Sequence, residues 1–188
     1  AAFLHTFTFL ALSFLLVNPP FGDIAAPELA SKWTVVADDG EELAYPHSMA
    51  TSGATLTWYT EGSPILEGEA WLLFGLMDNV NSDGAVVEVT REYQANETIR
   101  EDNISYWNSN AERIANGTST SNKSAPNLTP HGDLDQPFSV YLGTDLEEGT
   151  HKIVVKITEE GDPWENVQRY TWNLVISSES AVQDSMSE

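Results

Sequence analysis

The recurrence of large apolar residues at every second position near the end of the sequence is the feature that most restricts the fold. Positions 170, 172, 174 and 176 are Tyr, Trp, Leu and Ile, and positions 153, 155 and 157 are Ile, Val and Ile. A period of two places alternate side chains on one face of a strand. Gly, Asp and Pro residues at 144–149 and 159–163 favour turns on either side of the first of these two segments. The pattern therefore predicts two half-buried strands, at 151–158 and 169–176.

The rest of the chain contains further segments of the same kind. We expect strands at 33–37, 54–60, 69–77, 85–93 and 137–142, each bounded by turn-forming residues. Segment 69–77 is apolar at nearly every position, as in a central strand that is covered on both faces. Several short strands joined by tight turns predict a mainly β protein, folded as an antiparallel β-sandwich.

The final two strands also resemble a known type of domain. Leu146-x2-Gly149-x-His151-x-Ile153-Val154-Val155, followed by Tyr170-x-Trp172-x-Leu174-x-Ile176, is similar to the last hairpin of immunoglobulin-like and PKD-like domains of surface proteins. The resemblance covers about 40 residues. It implies an immunoglobulin-like antiparallel β-sandwich, which we place at residues 33–177, and it implies no particular ligand.

Residues 94–136 interrupt the strand pattern with a long polar segment, which we call the excursion. Loops of this length usually carry structure of their own. The sequence predicts a short helix at 105–115, capped by Asn103 and ended by Gly117, with Trp107 and Ile114 on its apolar side. A linker is expected at 23–32, and an acidic, solvated tail at 178–188.

The N-terminal segment, residues 1–22, contains no Asp, Glu, Lys or Arg. As a helix, its first 17 residues would span about 25 Å, less than the ~30 Å hydrocarbon core of a bilayer. Pro19 and Pro20 would end such a helix. Three interpretations stay open at this stage: a short membrane anchor, an element buried between subunits, and a retained fragment of a secretory signal.

We expect ten large apolar side chains of this segment to be hidden from water by something other than the sandwich. Their burial would contribute of order 15–30 kcal/mol before ordering costs. The segment could be a helix in a filament core or a strand added to a neighbour's sheet. The predicted assembly residues are Phe3, Leu4, Phe7, Phe9, Leu10, Leu12, Phe14, Leu15, Leu16 and Val17.

This layout, an apolar N-terminus followed by a β-rich outer domain, resembles archaeal pilins and archaellins, which polymerise through N-terminal helices. It is also similar to archaeal pilus subunits that donate an N-terminal strand to the next subunit. Three features depart from the pilin pattern: the apolar run is shorter, His5 stands where many pilins have a glutamate, and Asn18-Pro19-Pro20 interrupts the run early.

The charge composition excludes several classes of function. Eight Lys and Arg against 29 Asp and Glu give a formal net charge of −21. Nucleic acids and anionic lipid head groups both require a basic surface, so neither is an expected partner. An apolar content of 41% argues against disorder. We therefore expect a folded domain with a carboxylate-rich surface, of the kind suited to high salt or divalent cations.

Five N-x-S/T triplets lie within 32 residues, at Asn96, Asn103, Asn116, Asn122 and Asn127. N-linked glycans require exposed acceptors outside the cytoplasm. The cluster predicts a glycoprotein at the cell surface, with glycans on the excursion.

Metal and catalytic motifs are weak by comparison. The chain has no cysteine, which excludes thiolate metal sites and cysteine nucleophiles. Asp78, Asn81 and Asp83 resemble part of a calcium loop, but an Asp-Gly turn at 83–84 explains them more simply. The four histidines lack metal-ligand spacing, and no Gly-x-Ser-x-Gly elbow is present. We expect no cofactor, with Ca²⁺ as the one alternative, and no enzymatic activity.

Together these features predict a structural subunit of an extracellular, pilus-like filament or surface layer that polymerises with itself through its N-terminal segment. The alternative is a membrane-anchored extracellular binding or accessory subunit with an immunoglobulin-like domain.

Overall fold

The structure is a computed structural model of the chain. It describes residues 2–16, 25–46, 48, 50–78, 84–94, 96–101, 107, 109–110, 113–114, 126–161 and 164–179. Among these residues, the helix α1 and the strands β1 to β9 follow in chain order: α1 (Ala2–Leu16), β1 (Glu28–Asp38), β2 (Leu43–Ala44), β3 (Thr55–Tyr59), β4 (Ile65–Met77), β5 (Val86–Tyr93), β6 (Asn96–Glu101), β7 (Asp135–Glu147), β8 (Gly149–Glu159) and β9 (Asn166–Ser177).

The strands form two sheets, which confirms the prediction of a mainly β, sandwich-like architecture. The four-stranded sheet has the order β2-β1-β4-β7, and the five-stranded sheet has the order β3-β9-β8-β5-β6. One strand pair departs from the expected antiparallel pattern, because β3 runs parallel to β9. Residues 60–64 turn between β3 and β4, which lie in different sheets, and the Ser63 N–H donates to the Thr60 carbonyl over 3.2 Å within this turn.

The main core lies between the two sheets and is centred on stacked aromatic rings. The Trp33 and Trp172 rings are 4.8 Å apart and nearly parallel, and Phe74 meets Trp172 edge-on at 5.8 Å. The Trp33 indole N–H donates to the Gly53 carbonyl over 2.8 Å, so the buried ring has its polar group satisfied. The alternate residues of β8 and β9 point into this core, as the sequence pattern predicts.

Several strand boundaries differ from the predicted ones. β1 begins at Glu28, so the segment assigned to a linker at 23–32 already contains strand residues. β4 begins at Ile65 and contains an irregularity at Gly68, whose φ of +88° is suited to glycine. β7 continues through the predicted turn to Glu147.

The sequence does not predict the strand β6, because residues 96–101 are polar except for Ile99 and fall within the predicted excursion. It lies at the edge of the five-stranded sheet and pairs with β5. An edge strand needs no apolar alternation, so the periodicity gave no signal. The excursion therefore begins after Glu101.

A buried histidine closes the corner between β7 and β8. His151 is 1% exposed, and its Nε2–H donates to the Glu147 carbonyl over 2.8 Å. The Arg91 guanidinium donates to His151 Nδ1 over 3.0 Å, which fixes the neutral form of the ring with its proton on Nε2. The Tyr93 ring stacks on the imidazole at 4.2 Å. Burial lowers the pKa of His151, and the neighbouring Arg91 charge lowers it further.

Because of this buried histidine, we expect the free energy of unfolding to decrease in mild acid. Because the pKa of His151 is lower in the folded state than its unfolded value of about 6.5, the unfolded chain binds more protons as the pH drops below that value. We expect the urea midpoint to fall between pH 7.5 and pH 5. His151→Gln keeps a donor and an acceptor without titrating, so its midpoint should depend less on pH. If the urea midpoints of the wild type and His151→Gln changed equally with pH, His151 would not be the group that lowers the stability in mild acid.

Candidate assembly surface

α1 is apolar on all sides and is not buried in the sandwich. None of its residues is buried, and its large side chains are between 50% (Leu15) and 84% (Phe3) exposed. Phe3, Phe7 and Phe14 share one side of the helix, whereas Leu12 and Leu16 lie on the other. A helix that is apolar all round normally lies in an apolar environment.

The structure decides between helix and strand for this segment. Residues 2–16 are helical. At about 1.5 Å per residue, this helix is about 22 Å long. Nine of the ten predicted assembly residues are exposed on α1, and Val17 lies outside the described residues. Within the described part of the chain, no helix combines the length and the apolar content needed to cross a membrane.

The excursion covers the outer face of the four-stranded sheet. Ile114 and Leu128 of the excursion pack on Val36, Trp71 and Leu73 of the sheet and form a second apolar cluster with them. Trp107, which is helical together with the described residues 109–110 and 113–114, packs against the same cluster. This confirms helical structure for those residues of the predicted helix 105–115; its cap, Asn103, lies outside the described residues.

Polar contacts fix the helical part of the excursion to the end of β1. The Arg113 guanidinium donates to both carboxylate oxygens of Asp38, over 3.1 and 3.2 Å. The Tyr45 hydroxyl donates to the Ile114 carbonyl over 3.1 Å, and burial raises the pKa of Tyr45 to about 12. Such a two-pronged ion pair with a neighbouring hydrogen bond sets the orientation of the segment.

The described glycosylation triplets lie on or beside the excursion. Asn127 is exposed, and its Oδ1 accepts the N–H of Thr129 over 3.3 Å, while Leu128 between them is buried. Asn96 is the first residue of β6. Asn103, Asn116 and Asn122 lie outside the described residues. An acceptor asparagine at 127 would thus project from the outer face of the four-stranded sheet.

On the five-stranded sheet, the described outward residues of β5, β8 and β9 are exposed or partly exposed and include both basic and acidic side chains. We call the outward side chains of β5, β8 and β9 the open face. Lys152 pairs with Glu92 at 3.0 Å and Lys156 with Glu88 at 2.8 Å. The hydrogen bond from Lys156 lowers the pKa of Glu88. Arg169 is exposed beside Lys156, its partner residue on β8.

An acidic turn and a cleft lie at the far end of β1. In the turn, the N–H groups of Glu42 and Glu41 donate to Asp39 Oδ1 over 2.7 and 2.8 Å. These two hydrogen bonds lower the pKa of Asp39. The neighbouring cleft has a volume of about 390 Å³, and Glu42 and Glu67 are among its lining residues. We call this turn and cleft the acidic end.

The possible metal and histidine sites can be placed only in part. Asp78 follows β4, whereas Asn81 and Asp83 lie outside the described residues, so the calcium loop stays a prediction. Among the described residues, no three His, Asp or Glu side chains lie close enough to share a metal. His131 Nδ1 lies 3.0 Å from the buried carboxylate of Asp135, and His131 directly precedes the 3-10 turn Gly132–Leu134. His5 is exposed on α1.

The sequence predicts the apolar N-terminal segment, without deciding between helix and strand, but it does not predict the open face. The basic residues of that face are separated in sequence, and only the pairing of β8 with β9 brings Lys156 beside Arg169. No known family model matches this sequence, and no curated protein is found to be similar to it.

Proposed function

We propose that this protein is a structural subunit of an extracellular filament or surface layer, and that it polymerises through α1. The observation that carries the proposal is the exposure of nine large apolar side chains on a helix without charged residues. Exposed apolar surface of this extent is normally covered by a partner. The partner we propose is the α1 helix of further copies, because each helix presents apolar residues in every direction.

The order of the strands supports an immunoglobulin-like sandwich. β1, β4 and β7 correspond to strands A, B and E of that fold, and β9, β8 and β5 correspond to G, F and C. β3 would be the short first-strand extension that pairs in parallel with G, and β6 an additional edge strand beside C. His151 would take the place of the tyrosine that closes the E–F corner in many such domains.

The proposed location is the cell surface, with N-linked glycans on the excursion. The exposed Asn127 with its nearby Thr129 supports this assignment. Intact-mass measurement of the native protein is expected to show glycan mass, and Asn127→Gln should reduce it by one glycan. An unmodified mass would contradict the proposal.

Removal of the helix tests the proposed assembly directly. We expect the full chain to form polymers visible by electron microscopy, because α1 must leave water. A variant lacking residues 1–24 should sediment as a monomer with an unchanged urea midpoint, since α1 contributes nothing to the core. Polymers formed by the shortened chain would contradict the proposal.

The membrane-anchored accessory subunit makes a different prediction in the same experiment. The same uncharged helix favours it, because α1 could insert into one leaflet. In that case the native full chain would be extracted from membranes as single copies and would form no ordered polymer, and the shortened chain would be released.

A further inference from the structure

Apart from α1, large apolar side chains are exposed at one end of the sandwich. Among the described residues of the sandwich, the exposed large apolar side chains are between 43% and 66% exposed, and they are Val86, Leu134, Trp164 and Val167. A single exposed apolar residue is common on a protein surface, but a group of them in one place indicates an interaction site.

The strand register brings three of these residues together. Thr158 of β8 pairs with Val86 on one side and with Val167 on the other, so the two valines flank it in one row across β5, β8 and β9. Trp164 lies in the connection from β8 to β9, directly beyond this row. We call Val86, Trp164 and Val167 the apolar edge.

The apolar edge lies at the end of the sandwich where the chain enters from α1. The Asn166 side chain, next to the apolar edge, donates to the Ala25 carbonyl over 2.9 Å. Leu134 belongs to the same end, because it directly precedes the first residue of β7, which pairs with the last residue of β4. The exposed apolar side chains of the sandwich are therefore gathered at the end that is tied to the helix.

The connection to α1 is too short to separate this end from the helices of an assembly. Residues 17–24 lie between Leu16 and Ala25, and a chain of this length spans at most about 30 Å in any conformation. The sandwich is longer than that, since the 12 residues of β9 extend about 40 Å from this end to the other. In an assembly held by α1, the apolar edge is thus the part of the sandwich nearest to the helices of other copies.

The surroundings of the apolar edge favour an apolar, uncharged partner. Glu28, Glu160 and Glu165 are exposed at this end and would repel anionic lipid head groups. α1 contains no Asp, Glu, Lys or Arg, so packing on it adds no ionic repulsion. No residue of α1 is buried within its own chain, so the helix that can cover the apolar edge is the helix of another copy.

We propose that the apolar edge of one copy packs on the α1 helix of a second copy. The inference rests on the proposed assembly through α1 and adds a second surface to the same interface. Each copy then contributes two different surfaces, its helix and its apolar edge, to two different neighbours. Such a head-to-tail contact repeats along an assembly unless its rotation closes a ring.

Photo-cross-linking of full-length chains tests the contact. In one batch the photoreactive residue benzoylphenylalanine replaces Trp164, and a second batch is wild type and labelled with ¹⁵N. After the two are mixed in equal amounts, assembled and irradiated, we expect cross-links from position 164 to the labelled peptide that contains residues 2–16. The control places the same probe at Tyr59, a partly exposed aromatic residue at the opposite end of the sandwich, and should give no cross-link to α1.

Truncation of the tryptophan tests its contribution to assembly. Trp164→Ala should raise the concentration needed for polymerisation about tenfold, as is usual when an interface tryptophan is removed. Trp164→Phe keeps an aromatic ring and should assemble at nearly the wild-type concentration. Because Trp164 is 60% exposed, neither substitution should change the urea midpoint of the sandwich.

The outcomes separate this inference from the proposed function. Polymers in which position 164 forms no cross-link to α1 would overturn the inference and leave the assembly through α1 intact. Cross-links confined to unlabelled chains would mean that each copy covers its own apolar edge, and would also overturn it. Because tryptophan is common at membrane interfaces, the irradiation is repeated with phosphatidylcholine vesicles, and cross-links to lipid in place of α1 would assign the edge to a membrane surface instead. Absence of both polymers and cross-links would overturn the two proposals together.

Discussion

A chain in which Phe7 and Leu10 are both replaced by aspartate is expected to remain monomeric. The two side chains are 63% and 60% exposed on one side of α1, and each would contribute about 1.5–3 kcal/mol when buried against other helices. Loss of about 3–6 kcal/mol weakens association by about 10²- to 10⁴-fold, before the cost of burying two carboxylates is added. Sedimentation velocity and electron microscopy would measure the loss.

The matched control exchanges the same two residues without changing their apolar character. Phe7→Leu combined with Leu10→Phe keeps the apolar content of α1 and should still assemble. Neither pair of substitutions should alter the urea midpoint of the sandwich, because α1 has no buried residue. Assembly of the double aspartate variant at the wild-type concentration would mean that α1 is not the contact between copies.

Gly75→Ala is expected to detach the excursion from the four-stranded sheet. A Cβ atom at position 75 would lie 2.2 Å from the Leu128 carbonyl oxygen and 2.9 Å from a methyl group of Thr129. The first is a backbone atom, so the segment itself must move. We expect a loss of about 2–4 kcal/mol in the free energy of unfolding, similar to other large packing defects in a core. Urea unfolding would give the value, and faster amide exchange at Leu128 would locate the change.

Gly84→Ala provides the control for this substitution. A Cβ atom at position 84 meets nothing within 4 Å, so the free energy of unfolding should change by no more than about 0.5 kcal/mol. If Gly75→Ala also left the free energy of unfolding unchanged, the close contact of the Leu128 carbonyl with β4 would be wrong.

The fold could be predicted where burial imposes a period on the sequence. β8 and β9 have one face in the core and the other in water, so their alternation was visible. β6 and the parallel pairing of β3 with β9 could not be predicted. Edge strands have few buried positions, and the direction of pairing depends on how the turns connect the two sheets.

The candidate site was predictable to a similar degree. The uncharged run at the N-terminus predicts an apolar segment that the sandwich does not bury, and the exposure of α1 agrees with this. The sequence does not distinguish helix from strand there, because an all-apolar segment has no period. The cover over Trp71 and Leu73 was predicted only as a polar excursion. Its contact residues Ile114 and Leu128 are isolated apolar residues in sequence and come together only on the sheet.

The anchoring of the excursion at both of its described ends affects where new sequence can be added. Ile114 and Leu128 are held in the same apolar cluster on one side of the molecule, so a peptide inserted between them would begin and finish on that side. Lengthening a closed loop costs only about 0.6 kcal/mol for each doubling. Foreign epitopes or enzyme tags placed there should therefore extend from the outer side of the four-stranded sheet without disturbing the core between the two sheets.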